Sequence, residues 1–334
     1  MPADPFSAPV LVAGFGSIGR RHFENLRALG CQNFVFYRTR QGTIADEETN
    51  RFPSVTRLEE ALGHRPRLAI ISNPSAHHVS VALAAARAGC DLFIEKPLSA
   101  SRDGCDELAD VVREKELVTL VGCNFRFHPL LMQLRQGLHA GRIGEVIGAR
   151  AEWGEYLPTW HPWEDHRRSY SARAEMGGGA ILTLIHPLDY LYWLFGSVTE
   201  VQALTRAVPS LETPAGEDWA DLNLRFDSGV QAQVHLDYVQ RPPVHLLAVW
   251  GDGGRALWDY HAGVLVWENT SGEREEVRVP DGFVRNDMYL AEMAELLDCV
   301  KSRKQTTVPL EDGVAVLEIA LRAKEAARGA CARA

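Results

Sequence analysis

Val10-Leu11-Val12-Ala13 is an apolar run of strand length that passes directly into Gly14-Phe15-Gly16-Ser17-Ile18-Gly19. A helical stretch carrying Phe23, Leu26 and Leu29 follows and stops before Gly30. A strand, a glycine turn and a helix in this order leave few folds open. The first glycine permits the turn, the second lets backbone approach a pyrophosphate, and the third allows close packing of helix on strand. The spacing predicts the opening unit of a doubly wound parallel sheet, a Rossmann domain. Gly14, Phe15, Gly16, Ser17, Ile18 and Gly19 would be its dinucleotide loop.

A second strand, Phe34–Tyr37, ends where an acidic residue would grip the ribose hydroxyls of NAD. Arg38-Thr39-Arg40 stands there instead. The guanidinium groups of Arg38 and Arg40 can pair with the extra phosphate of NADP, so NADP is expected in preference to NAD. Arg20 and Arg21, at the start of the first helix, can help neutralise a pyrophosphate. The buried-type strand Leu68–Ile71 runs into Ser72-Asn73-Pro74 and then His77-His78, ahead of an alanine-rich helix ending near Gly89. Ligands bind at the carboxyl ends of strands in open α/β sheets, which places Asn73 and Pro74 beside a nicotinamide ribose, makes Ser72 a cofactor contact, and leaves His78 either a cofactor contact or a helix-start histidine satisfied by backbone. The strand Asp91–Ile94 delivers Glu95-Lys96-Pro97 to the same edge, and a strand at 117–122 delivers Asn124-Phe125-Arg126-Phe127. A lysine at the mouth of a nicotinamide pocket can take a proton from a substrate hydroxyl as hydride leaves the same carbon. Pro97 would stiffen that position.

After residue 124 the pattern changes to polar-apolar alternation. Residues 222–226 and 230–238 flank the turn Asp227-Ser228-Gly229, and residues 244–250 and 255–260 flank Gly251-Asp252-Gly253-Gly254. These are hairpins, and they predict an open, mainly antiparallel sheet with one covered face. Helical runs at 287–302 and 313–328 close the chain. The expected division is a dinucleotide-binding domain at 1–124 and a substrate-binding and oligomerisation domain at 125–334, whose last helix is free to pack back on the first. Gly177-Gly178-Gly179 leads into an apolar helix in which His186 and Asp189, three apart, share a face. An imidazole suits proton transfer or the holding of a substrate hydroxyl.

Net charge is -9 and no block of basic residues occurs, which speaks against a nucleic-acid surface and for small-molecule partners. The N-terminus lacks a basic start followed by a long apolar run, and no apolar stretch is long enough to span a bilayer, so a cytoplasmic location is expected. The six cysteines, at 31, 90, 105, 123, 299 and 331, show no metal-ligand rhythm and read as reduced packing thiols. No metal is expected.

Gly-x-Gly-x-x-Gly, Glu95-Lys96-Pro97, Asn124-Phe125-Arg126-Phe127-His128-Pro129 and the glycine triplet leading to His186-x-x-Asp189 occur in the order seen in one family. Over nearly its whole length the chain resembles the Gfo/Idh/MocA oxidoreductases. The resemblance implies a nicotinamide cofactor, a sugar, polyol or sugar-derivative substrate, and homodimers or homotetramers assembled through the sheets. It implies that Lys96 and His186 are the catalytic pair. Leu182 departs from the pattern: many members, inositol dehydrogenases among them, carry an aspartate four residues before the histidine. A leucine cannot orient an imidazole, and Thr183 offers only a hydroxyl. The relay implied is therefore Lys96 with His186, supported by Asp189, and inositol specificity is put in doubt.

The segment 156–168 is rich in aromatic, acidic and basic groups, which stack on sugar faces and fix hydroxyls. Arg126, Trp160, His161, Trp163, Asp165, Thr183 and Asp189 join Lys96 and His186 as candidate substrate contacts, and Arg126 is also a candidate cofactor contact. Two rivals to the dehydrogenase stay open: a non-enzymatic dinucleotide-binding regulator, and a glycosidase that uses NAD transiently.

Overall fold

The computed structural model describes residues 8–38 and 51–331. The chain divides into two compact units, Met1–Asn124 with Arg285–Val314, and Phe125–Val284 with Ala315–Ala334.

The first unit carries, in chain order, β1 (Val10–Ala13), α1 (Ser17–Ala28), β2 (Phe34–Tyr37), β3 (Ser54–Val55), α2 (Leu58–Gly63), β4 (Leu68–Ile71), α3 (His78–Arg87), β5 (Asp91–Ile94), α4 (Cys105–Glu114) and β6 (Thr119–Val121). Among the described residues its strand pairings are all parallel, in the order β3-β2-β1-β4-β5-β6. Strand order reverses beside β1, and a switch point of this kind opens a crevice at the strands' carboxyl ends. β1, β4 and β5 are buried along their whole length, as strands covered on both faces must be. Helix α4 shows why such segments coil here: Cys105, Leu108 and Val112 bury one stripe, Asp106 and Glu107 occupy the positive N-terminal end, and Arg113 the negative C-terminal end.

The second unit carries α5 (Pro129–His139), β7 (Val146–Gly154), α6 (Ala180–Thr183), α7 (His186–Phe195), β8 (Val198–Arg206), β9 (Trp219–Phe226), β10 (Gln231–Asp237), β11 (Val244–Gly251), β12 (Gly254–Asp259), β13 (Val264–Asn269) and β14 (Arg274–Arg278). Its eight strands are ordered β14-β13-β12-β11-β7-β10-β9-β8. Both expected hairpins form, β9 with β10 and β11 with β12. The central pair departs from the antiparallel rule, because β10 runs parallel to β7, with Gly148 opposite Gln231 and Gly154 opposite Asp237. Helices α5, α6 and α7 pack on one face, where Ala151, Leu222, Val234, Leu247 and Trp258 are buried. The other face alternates outward, as at Gln233 and Leu257.

The last two helices are α8 (Arg285–Ser302) and α9 (Leu310–Cys331). The stretch 285–314, which composition alone assigns to the second domain, is bonded into the first. Asn25 and Asn286 exchange amide hydrogen bonds of 2.9 and 3.4 Å, Arg303 donates to Asp91 at 2.7 Å, and Val121 N–H donates to the Val308 carbonyl at 2.9 Å. Helix α9 begins in the first unit and ends in the second. The five cysteines whose side chains are described are buried and free of disulfides.

Candidate functional site

The glycine turn after β1 is shaped by contact with the β4 loop. Gly14 has φ +92°, and a Cβ there would stand 2.6 Å from Asn73 N and 2.8 Å from Ser72 C. At Gly19 a Cβ would meet the Gly14 carbonyl and lie 2.7 Å from Ser72 Oγ. Both glycines are therefore required by the protein's own packing. Gly16 is different, because a Cβ there would meet nothing within 4 Å. The open space over Gly16 is what a closely approaching phosphate group needs. Helix α1 starts at this point with no side-chain cap and no acidic residue in its first turn, so its N-terminal end suits an anion.

At the end of β2 the Phe15 ring gathers two cations, Arg20 with Cζ 4.9 Å and Arg38 with Cζ 5.9 Å from the ring centroid. Arg40 lies outside the described residues.

β5 ends in a buried carboxylate. Glu95 Oε1 is 2.6 Å from His22 Nε2, and Glu95 Oε2 accepts the Lys96 backbone N–H at 3.0 Å. Burial opposes its ionisation, yet the His22 hydrogen bond, with the charges of His22, Lys96 and His78, holds its carboxyl below the ordinary value. His22 comes from α1, three residues beyond Gly19. Lys96 is half-buried, and its bond to Pro97 is cis. On the neighbouring strand ends, Asn73 Oδ1 after β4 and Asn124 Nδ2 after β6 are buried with no hydrogen-bond partner among the described residues. Unsatisfied buried amides flanking Lys96 are what a polar ligand would complete. His78 is 1 % exposed, and both its ring nitrogens meet backbone carbonyls.

In the second unit Arg126 and Asp189 form a buried fork, with Nε to Oδ1 at 3.0 Å and Nη2 to Oδ1 at 2.7 Å. His186 opens α7 with Pro187 beside it, and α6 ends just before, so the apolar helix expected as one piece is broken at Leu184-Ile185. The His186 ring stacks on Trp153 at 5.4 Å and meets the edge of Phe125 at 4.8 Å. Trp153 also stacks on His245, its cross-strand partner, at 4.5 Å and 3°. Nearby, His128 accepts the Leu130 N–H through Nδ1, and burial pushes its pKa down to about 4. Thr183 is buried in α6, and the fully buried Tyr238 donates its hydroxyl to the Ser171 carbonyl at 3.2 Å.

The segment 156–168 forms short 3-10 turns. Trp160 stands edge-on to Tyr238 at 5.7 Å, and His161 packs near Trp163, which is 68 % exposed. Trp160 Nε1 and His161 Nδ1 have no hydrogen-bond partner among the described residues. Asp165 caps Arg167, accepting its N–H at 3.0 Å and its guanidinium at 2.9 Å, and these bonds draw the exposed carboxyl down to about 2.

The structure thus gathers Gly14 to Gly19, Ser72, Asn73, Pro74, His78, Glu95 and Lys96 along the carboxyl edge of the first sheet. In the second unit it joins Arg126 to Asp189 and pairs Asp165 with Arg167. Sequence reasoning missed His22, Asn124, Trp153, Tyr238 and His245. His22 was open to detection, since it shares a helix face with the third glycine; the others depend on strand ends and register.

Two outcomes test this geometry. Gly14→Ala should cost about 2 kcal/mol or more of stability, while Gly16→Ala should leave stability within about 0.5 kcal/mol yet weaken dinucleotide binding about tenfold. Urea unfolding and cofactor titration of both variants check the contrast. Because Glu95 ionises more readily folded than unfolded, its contribution is present above the unfolded value and is lost as pH falls through the folded one. Glu95→Gln should therefore be less stable by about 1–3 kcal/mol at neutral pH, the gap closing on acidification, as read by thermal unfolding across pH. A gap independent of pH would contradict an ionised Glu95 in the folded chain.

Residues 9–123 match a family model described as the oxidoreductase family with an NAD-binding Rossmann fold, and residues 131–257 match the GFO/IDH/MocA C-terminal domain. The chain is 27% identical over 328 residues to the UDP-N-acetylglucosamine 3-dehydrogenase of Acidithiobacillus ferrooxidans, covering 94% of this chain and 96% of that relative. It is 28% identical over 283 residues to the 1,5-anhydro-D-fructose reductase of Ensifer adhaerens, covering 82% and 81%. The solved levoglucosan dehydrogenase in complex with NADH and levoglucosan shares the fold, with a TM-score of 0.85 over 96% of this chain and 97% of that one at 18% identity. With an NAD-binding Rossmann domain followed by the matching C-terminal domain, the chain belongs to the Gfo/Idh/MocA family of oxidoreductases.

Proposed function

We propose that this protein interconverts a secondary hydroxyl and a carbonyl on a sugar or sugar derivative, using NADP in preference to NAD. The observation that carries the reading is the fixing of Lys96 at the carboxyl edge of a Rossmann sheet, between the two unsatisfied amides of Asn73 and Asn124. The dinucleotide, when bound, supplies the hydride acceptor in the oxidative direction. Gly14 to Gly19 would hold its pyrophosphate, and Ser72, Asn73 and Pro74 its nicotinamide ribose. Arg38, with Arg20 on the other contact of Phe15, would face the ribose phosphate of NADP. Lys96 takes the hydroxyl proton in the oxidative direction and returns it in the reductive direction. His186 is assigned to orienting the substrate hydroxyl.

Sugar substrates are supported by the relatives, which act on a nucleotide sugar and an anhydro sugar. They are supported as well by the aromatic ring of Trp160 and the unsatisfied atoms Trp160 Nε1 and His161 Nδ1. Trp163 would add a ring from its exposed position. Arg126 and Asp189 hold each other in a buried fork, Thr183 is buried in α6, and all three are assigned to framing the substrate; Asp165 would act through Arg167. Among the described residues no helix is long and apolar enough to cross a membrane, and we place the reaction in the cytoplasm. The outward face of the second sheet carries Leu204, Trp250 and Leu257, exposed by 65%, 41% and 39%, and we assign it to a second copy of the chain.

Reduced-nicotinamide absorbance, followed with NADP and NAD against free sugars, polyols, sugar acids and nucleotide sugars, should show reduction with one class. Tight dinucleotide binding with no turnover across the panel would overturn the reading. Lys96→Met should keep cofactor binding and lose turnover by about 10²–10⁴-fold, and Arg38→Asp should weaken NADPH relative to NADH about tenfold. Sedimentation should find an oligomer that Leu204→Glu with Leu257→Glu dissociates; an unchanged mass would assign the interface elsewhere.

A further inference from the structure

His78 opens α3 and is almost completely buried, yet it is not placed to serve a ligand directly. Its Nε2 lies 2.6 Å from the Asn73 carbonyl and its Nδ1 lies 2.9 Å from the Pro97 carbonyl. Carbonyls only accept, so each contact calls on an N–H of the ring. A neutral imidazole supplies one and an imidazolium two. Burial lowers the pKa of His78, against the pull of the Asn73 carbonyl, the Glu95 carboxylate and the Pro97 carbonyl. Glu95 is the charged group whose field reaches the ring; it is bonded in turn to His22 and lies next to Lys96 in sequence, and the first turn of α3 holds no acidic residue.

We propose that His78 is a positioning residue for Lys96, a single side chain that ties the segment bearing the lysine to the loop that receives the cofactor. The proposal rests on the reading of Lys96 as the proton-exchanging group. The contacts form a continuous chain within the first unit. Ser72 Oγ donates to the Gly14 carbonyl at 3.0 Å, and the Asn73 backbone lies against Gly14 closely enough to forbid a Cβ there. The Asn73 carbonyl meets His78, and His78 meets the carbonyl of Pro97, the residue after Lys96. From the other side, His22 on α1 holds Glu95, whose carboxylate receives the Lys96 N–H. The backbone of the lysine is thereby referred to the same glycine turn from two directions. A shift of about 1 Å in a catalytic group is enough to cost about a hundredfold in rate, so a bridge of this kind sets turnover without touching substrate.

The test uses the full-length protein with His78→Gln, which keeps an N–H donor for one carbonyl, and His78→Leu, which keeps none. Three readouts are taken together: thermal unfolding, NADPH and NADH titration, and the pH profile of Lys96 modification by an amine reagent, read by peptide mass spectrometry. Turnover is measured wherever the wild type shows it. The expected result is a Lys96 modification midpoint displaced in both variants. With it, kcat should fall about tenfold to a hundredfold, KM for the sugar should change less, and His78→Gln should recover part of the loss seen in His78→Leu. A Lys96 profile identical to wild type in folded variants overturns the proposal, whatever happens to stability. If the wild type turns over no substrate, the functional reading falls, and the Lys96 modification profile still decides whether His78 positions the lysine.

Discussion

A carboxylate buried at the end of a central strand is the constraint on which the first unit depends. Glu95 sits where water is excluded, and an unpaired charge there would cost several kcal/mol. The chain meets that demand with His22 at 2.6 Å, with the N–H of Lys96 and with the neighbouring positive charges. Each partner belongs to a different structural commitment. His22 fixes the rotation of α1 about its axis, and so the direction in which the first-turn amides beyond Gly16 point. The Lys96 N–H fixes the backbone of the reactive segment. A single electrostatic requirement thus aligns the N-terminal end of a helix with the segment that bears Lys96, the residue to which we assign proton exchange. Preorganisation of this kind removes the need to order those groups during the reaction.

The second unit solves a similar problem with different chemistry. Arg126 and Asp189 are both buried, and their fork is favourable only because several charge-assisted hydrogen bonds replace the lost hydration. Removing one member would leave the other charge stranded, so the pair acts as a unit that ties Arg126, just beyond β6, to the first turn of α7. Around it the rings of Phe125, Trp153, His245 and Trp258 interlock at centroid separations of 4.5 to 6.0 Å. Stacked and edge-on rings resist rotation because each tilt breaks two contacts at once. The imidazole of His186 is held in that assembly, and its orientation follows from packing on Trp153 and Phe125.

β1, β2, β4, β5 and β6 were legible because they are buried, which makes them continuous apolar runs bounded by loops of recognisable chemistry; the half-buried two-residue β3 was not. The glycine loop was legible for a related reason: its spacing answers to backbone geometry that only glycine satisfies at Gly14 and Gly19. The second sheet was legible only in part. Hairpins announce themselves through Asp227-Ser228-Gly229 and Gly251-Asp252-Gly253-Gly254, but β7 pairs with β10 across more than seventy intervening residues and in parallel, and no local pattern encodes such a pairing. The same limit hid Trp153 and His245, which meet only through the β7-β11 register. The assignment of 285–314 was illegible in composition, because a helix records which of its faces is apolar and not which core that face enters. Among site residues, most of those on loops after strands were found, Asn124 being an exception, whereas His22 in α1 was not: its place on the face of the third glycine is visible in sequence, but its partner Glu95 is not.

Leu182 is where the chain departs from the motif it otherwise resembles, and the structure gives the leucine a physical meaning. Leu182 is 2 % exposed within α6, surrounded by the apolar residues that carry this short helix onto the sheet. A carboxylate at that position would need a charged partner inside an apolar layer. The leucine avoids that cost and gives up an acceptor in the turn before His186. The carboxylate that remains in the first turn of α7, Asp189, is forked by Arg126. In this chain the His186 ring packs on Trp153 and Phe125. The two devices differ in what they favour. A neighbouring carboxylate at 182 would stabilise the imidazolium and so favour proton uptake at His186. Packing between Trp153 and Phe125 fixes the plane of the ring without bringing such a carboxylate, which suits a group that holds a hydroxyl in place. That fits the reading proposed above, in which proton exchange is assigned to Lys96 and His186 is assigned to holding a hydroxyl.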